Sequence, residues 1–184
     1  MSATATHQIT IPTGDWAADP THSAIEFSVK HMAVATFRGR FAEYDAKLHN
    51  ADGEPRLIGD VKVESITVPD DNLTGHLLSP DFFDAERHPA IRFESVGVRY
   101  GDDGALVVEG DLTIKGTTRR VEAAGTITEV VEDIGGNDRF AIRLETVVDR
   151  TAYGLDWNAP LPRGGVAVAN DVRLTVELEL TKAS

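Results

Sequence analysis

Apolar and polar positions alternate along most of this chain with a period of two, as in strands that bury one face and wet the other. The closing run shows it best. Val166, Val168, Asn170, Val172, Leu174, Val176, Leu178 and Leu180 share one parity, and Ala167, Ala169, Asp171, Arg173, Thr175, Glu177 and Glu179 share the other. Ile25, Phe27 and Val29 oppose Glu26, Ser28 and Lys30 in the same way. Leu106, Val108, Leu112 and Ile114 make a third apolar face, interrupted by Gly110. Val121, Ala123, Ile127 and Val131 make a fourth, and Phe140, Ile142, Leu144 and Val148 a fifth.

Turn signals punctuate these runs at Ala51-Asp52-Gly53, Asp102-Asp103-Gly104, Lys115-Gly116-Thr117 and Gly135-Gly136-Asn137-Asp138. The pattern changes phase twice. Phe37, Gly39 and Phe41 fit one parity and Tyr44, Ala46 and Leu48 the other, which predicts a bulge near Ala42-Glu43. Val61 and Val63 likewise switch phase before Ile66 and Val68. About eight strands result, a number that suits an antiparallel barrel. A two-sheet sandwich has the same periodicity, so alternation alone does not close the barrel.

One segment departs from the strand pattern. Asp70-Asp71-Asn72 after Pro69 offers a helix start, with acids in the first turn where the macrodipole favours them. Ser79-Pro80 predicts a short second turn, and His88-Pro89 ends it before the strand Ala90-Ile91-Arg92-Phe93.

These elements, in this order, resemble the YceI-like family. The helical stretch through Asp81-Phe82-Phe83-Asp84 and His88-Pro89 is the most specific match. His22–His31, Phe37–Phe41, Gly110–Arg119, Asp149–Gly154 and Val168–Val172 are similar to further family segments, from Trp16 to Leu180. The resemblance implies an all-β fold, a lipocalin-like antiparallel eight-stranded barrel with a short helical segment between strands. It also implies that the barrel holds a long-chain isoprenoid or related amphiphilic lipid, such as an isoprenoid quinone or a polyprenyl compound, with no other cofactor.

With 184 residues, the chain has the size of a single domain, expected over 15–184 behind a flexible tail at 1–14. The first residues lack a basic n-region and an apolar h-region, so a cytoplasmic location is expected. No apolar run is long enough to insert in a membrane. Zero cysteines exclude disulfides and thiolate metal sites. The net charge of −12 argues against nucleic acid and disfavours docking on an anionic membrane surface.

Inward parity nominates Phe27, Val29, Phe41, Phe93, Leu112 and Ile114 as cavity walls, with Phe140, Ile142, Val172 and Leu174. Leu73, Leu77, Phe82 and Phe83 would form a flap, or simply pack the helix on the barrel. Tyr153, Leu155 and Trp157 suit a cavity mouth by chemistry, although a plug closing the barrel is the preferred reading; Trp16 is a further rim candidate. Lys30, Arg38 and Arg40 fall on the outer parity as solvated charges. His31, His76, Arg87, His88 and Arg150 flank breaks in the pattern and are the head-group candidates, with Asp149 a ready partner for Arg150. The acidic balance leans towards a neutral head.

Neither HExxH nor GxSxG occurs, so no catalytic residue and no metal ligand is assigned. The remaining enzyme or metal alternative needs His31, His76 and His88 to converge at the barrel mouth. A third alternative is an interaction or stress protein with a solid barrel, and association as a homodimer stays open.

Overall fold

The computed structural model describes residues 8–183. Among them twelve strand segments make one antiparallel sheet: β1 (Gly14–Ala18), β2 (Ala24–His31), β3 (Ala35–Phe41), β4 (Tyr44–Asn50), β5 (Arg56–Lys62), β6 (Ile66–Thr67), β7 (Ala90–Tyr100), β8 (Ala105–Ile114), β9 (Thr117–Ile127), β10 (Val131–Glu132), β11 (Asp138–Asp149) and β12 (Val168–Lys182). A single α-helix, α1 (Asp71–Leu78), lies between β6 and β7. The strands run in the order β11-β9-β8-β7-β5-β4-β1-β12, and β12 pairs back with β11 to close the ring. The protein is therefore an eight-stranded antiparallel barrel, as the resemblance implies.

The extra segments arise from breaks in long strands. One edge of β12 is shared by β1, at residues 180–182, and by β2, at residues 168–177. β3 and β4 are separated at Ala42-Glu43, where a clean break replaces the expected bulge. There the Ala42 N–H donates to the Ser65 carbonyl at 3.0 Å, so the chain turns towards β6 instead of accommodating an extra residue in a ladder. The second phase change is a 3₁₀ turn at Val63–Ser65. True register shifts lie elsewhere, between Ser95 and Gly97 and between Val168 and Val172.

The two ends of the barrel are filled differently. At one end Trp16, Leu48, Leu106, Ile142, Leu178 and Leu180 are buried almost completely in one cluster. Phe140 packs edge-on against Trp16 at 4.9 Å, a favoured aromatic geometry. Trp16 is thus a core residue and not a rim residue. Residues 8–13 lie across this closed end: Ile11 is buried, and its carbonyl accepts from the Asn50 amide at 2.8 Å. The rest of the expected tail, residues 1–7 with His7, lies outside the described residues.

At the other end α1 covers the opening. The Asp70 carboxylate accepts from the Leu73 N–H at 2.8 Å, which satisfies one of the orphan donors of the first turn. Ser79 stops the helix, its hydroxyl donating to the His76 carbonyl at 2.7 Å. The segment after it folds as consecutive turns, not as a second helix. No helix among the described residues is long and apolar enough to cross a membrane.

Candidate functional site

Between the packed end and α1 the barrel encloses a cavity of about 640 Å³. Its existence follows from what faces inward. On β5 the inward positions are Leu57, Gly59 and Val61, and a Cβ placed on Gly59 would meet nothing within 4 Å. Phe27 lies over Gly39 and Phe93 over Gly110, where a Cβ would collide with either ring. The rings therefore lie flat along the wall and leave the centre open. A solid barrel is excluded by this space.

Most of the predicted wall residues border the cavity. Phe27, Val29 and Phe41 do so from β2 and β3, Phe93 from β7, Leu112 and Ile114 from β8, and Val172 and Leu174 from β12. On α1, Leu73, His76 and Leu77 stand at i, i+3 and i+4 and so share the face turned to the cavity. Phe82 and Phe83 follow, with Phe83 edge-on to Phe41 at 6.0 Å. Phe140 and Ile142 correct the expectation: they belong to the packed end, because the inward face of β11 passes from core into cavity only at Leu144, Thr146 and Val148. Tyr153, Leu155 and Trp157 border the cavity from the loop after β11, Tyr153 and Leu155 being buried. They line the open end and plug nothing at the closed end.

The head-group candidates separate sharply. Arg87 is exposed and pairs with Asp84 at 3.0 Å, and His88 sits over Gly116; neither borders the cavity. His31 and His76 do border it, so the three histidines of the enzyme alternative are not brought together. Arg150 also reaches the cavity wall, yet it is a strut. It is 5% exposed and donates from Nε to the Ala169 carbonyl at 2.8 Å. Its Nη1 serves the Leu155 and Trp157 carbonyls, the latter at 2.9 Å, and its Nη2 serves Val168 at 3.3 Å. Burial pushes its guanidinium below the usual arginine range. Asp149 does not take it as a partner in contact: that carboxylate accepts from the Thr151 N–H and hydroxyl at 2.9 and 2.6 Å, which pulls its own pKa down.

His76 is the polar group best placed at the opening. Its ring stands edge-on to Phe82 at 5.0 Å and to Trp157 at 4.7 Å. Nε2 lies 3.1 Å from the Asp81 carboxylate. With Nε2–H committed to Asp81, Nδ1 is left as the acceptor of the neutral ring.

At the opposite end, Asp19, His22 and Glu179 come close enough to hold a cation, and a guanidinium already serves them. Arg139 reaches Asp19 at 2.9 Å and Glu179 at 2.6 Å, and its Nε contacts Asp133 at 2.6 Å. Hydrogen bonds from His22 and Arg139 hold the Asp19 carboxyl well below the ordinary range, and Asp19 in turn raises His22.

Several cavity residues escaped the sequence reading. Ala46, Leu57, Gly59, Ile91, Val121 and Leu144 border the cavity although none was a wall candidate. Shared parity of Leu57, Gly59 and Val61 was the available signal, hidden by the phase change that follows.

Residues 16–180 match the model of the YceI-like domain. A UPF0312 protein of Staphylococcus aureus is 29% identical over 170 residues, covering 89% of this chain and 95% of that protein. One from Staphylococcus epidermidis is 26% identical over the same length. BcnA of Burkholderia cenocepacia has a similar fold, with a TM-score of 0.73 at 19% identity over 90% of this chain and 99% of its own. A polyisoprenoid-binding domain from Saccharophagus degradans, implicated in plant cell wall breakdown, aligns with a TM-score of 0.69 at 13% identity, over 91% of this chain and 98% of that one.

Proposed function

The chain belongs to the YceI-like family, and on that premise we propose that its barrel binds one long-chain isoprenoid, tail inward, and sequesters or carries it through water. The observation that carries this reading is the apolar cavity of about 640 Å³, open at the end that α1 covers. At about 30 Å³ for each water-sized group, it takes on the order of twenty carbons, or about four isoprene units. Each unit contributes about 4 kcal/mol gross on leaving water, at roughly 0.8 kcal/mol per carbon.

The polar end of the ligand would lie near His76 and Trp157. Four of the five N–H donors of Arg150 serve backbone carbonyls, so the wall offers a phosphate no bidentate guanidinium. A neutral oxygen head, a hydroxyl or a quinone carbonyl, suits the imidazole: Nδ1 accepts from a hydroxyl, and a protonated ring donates to a carbonyl. The reading assigns no catalytic role.

The test is mass spectrometry of protein purified without detergent, first native and then after organic extraction. A stoichiometric isoprenoid released only on denaturation is the expected result. Protein that emerges empty and takes up neither quinones nor prenols overturns the proposal.

A further inference from the structure

The lip of the open end combines exposed apolar side chains with unpaired cations. The β2–β3 hairpin turns through Met32, Ala33 and Val34, with the Val34 N–H donating to the His31 carbonyl at 3.0 Å. Met32 and Ala33 have φ of 51° and 56°, the left-handed pair of a type I′ turn that Asn-Gly adopts with far less strain. Apolar side chains thus occupy positions where the turn itself favours others, and they face solvent: Val34 is 85% exposed and Met32 42%. The Met32 N–H donates to the Ala167 carbonyl at 2.8 Å, which ties the tip to a loop where Pro160, Pro162 and Val166 are also exposed. His31, Ala35 and Ala167 border the cavity, so the exposed lip continues into its lining.

The two segments that form this lip carry charge of one sign, with Asp156 and Asp171 just beyond them and Asp70, Asp71 and Asp81 elsewhere on the same end. No Asp or Glu occurs from Lys30 to Arg40 or from Trp157 to Asn170. Lys30, Arg38, Arg40 and Arg163 are exposed and form no ion pair among the described residues. On the barrel sides, by contrast, Arg92 pairs with Asp60 at 2.9 Å, Arg120 with Asp111 at 2.8 Å and Arg143 with Glu145 at 2.7 Å. Lys30 and Arg163 therefore stand unpaired on the segments that carry the exposed aliphatic tip, with Arg38 and Arg40 farther along β3 and Arg40 opposite Glu26, in a chain whose net charge is −12. The other exposed apolar hairpin, with Val131 and Ile134, carries Glu129, Glu132 and Asp133 instead.

We propose that this lip docks on an anionic lipid bilayer, with Met32 and Val34 entering the headgroup boundary and Lys30 and Arg163 meeting lipid phosphates, so that the cavity opens onto the membrane. The overall charge keeps the rest of the molecule off the same surface and fixes which end faces it. Docking adds an entry route to the isoprenoid reading and does not require it, since the lip would bind lipid whether or not the cavity is filled.

The experiment is co-sedimentation of the full chain with phosphatidylcholine vesicles, with and without phosphatidylglycerol. The protein is expected to sediment with the anionic vesicles and to be released by salt. Val34→Glu should lower its partitioning by about tenfold or more, Lys30→Glu should remove the preference for anionic vesicles, and Ile134→Glu should change neither. Failure to bind anionic vesicles at low salt overturns the proposal, as does equal loss in Val34→Glu and Ile134→Glu. A Val34-dependent dimer in sedimentation velocity, without vesicle binding, also overturns it and assigns the face to a second copy of the chain. Vesicle binding by protein that takes up no isoprenoid would sink the carrier reading and leave the docking surface standing.

Discussion

Replacing Gly59 by phenylalanine tests whether the cavity holds the ligand without disturbing the fold. Gly59 lies on β5 between Ala46 of β4 and Phe93 of β7, its α-carbon hydrogens directed where a Cβ finds no neighbour within 4 Å. Its φ lies outside the left-handed region, so an L side chain adds no backbone strain. Glycine within a strand is itself unfavourable by roughly 0.5–1 kcal/mol, so Gly59→Phe should fold at least as stably as the parent. The new side chain brings seven carbons and, at about 30 Å³ each, takes about 200 Å³. That is about one third of the cavity. A ligand that loses contact for about seven carbons forfeits about 5–6 kcal/mol of gross burial, or on the order of 10⁴-fold in affinity. Native mass spectrometry and fluorescent-isoprenoid titration read the loss, and urea unfolding reads the stability. A stable Gly59→Phe protein that binds the isoprenoid as tightly as the parent would refute the placement of the lipid in the barrel. A variant that unfolds would show that the space at Gly59 is already filled.

Gly110→Ala makes the opposite contact, driving a Cβ into the Phe93 ring and the Glu94 carbonyl, and should cost about 1–3 kcal/mol in urea unfolding; an unchanged midpoint would mean that Phe93 does not lie on the glycine. Arg150→Met strands the carbonyls of Leu155, Trp157 and Ala169, Val168 keeping its bond from the Asn158 amide, and should cost about 3 kcal/mol or more, with faster amide exchange through residues 153–169; loss of ligand at unaltered stability would instead make Arg150 a binding group. Tyr153→Phe removes a buried hydroxyl that has no hydrogen-bond partner among the described residues and should raise stability by about 1 kcal/mol, an outcome a lowered urea midpoint would contradict. His22 has its pKa raised above 6.5 by Asp19, so its protonated form is favoured in the folded state. Its contribution is fully present below the unfolded value and fades as pH rises through the raised folded value, so His22→Asn should flatten stability in that window, and an NMR titration of His22 at or below 6.5 would rule the interaction out.

The barrel was legible because its signals are local and repeated. Alternation set the inward face of β12 from Val172 to Leu180, and the turn at Lys115-Gly116 was visible in its residues, Lys115 and Gly116 both taking positive φ. Closure was not local: it depends on β11 meeting β12 through partners that run from Asp149↔Asp171 to Arg139↔Thr181, more than twenty residues apart in sequence, and only the family resemblance supplied it. The same limit decided the site. Phe140 and Leu144 share a parity and a strand, yet one packs against Trp16 and the other borders the cavity, because depth along the barrel axis leaves no mark on a period of two. Glycines carried the missing information in a form that needs the partner strand to decode. Gly39 and Gly110 receive aromatic rings, whereas Gly59 receives nothing, and the three look alike in sequence. Net charge has a related limit. A sum of −12 describes the far field and conceals where the cations stand. Pairing removes the arginines of the barrel sides from that account and leaves Lys30 and Arg163, so the lip segments proposed for docking carry the sign opposite to the whole.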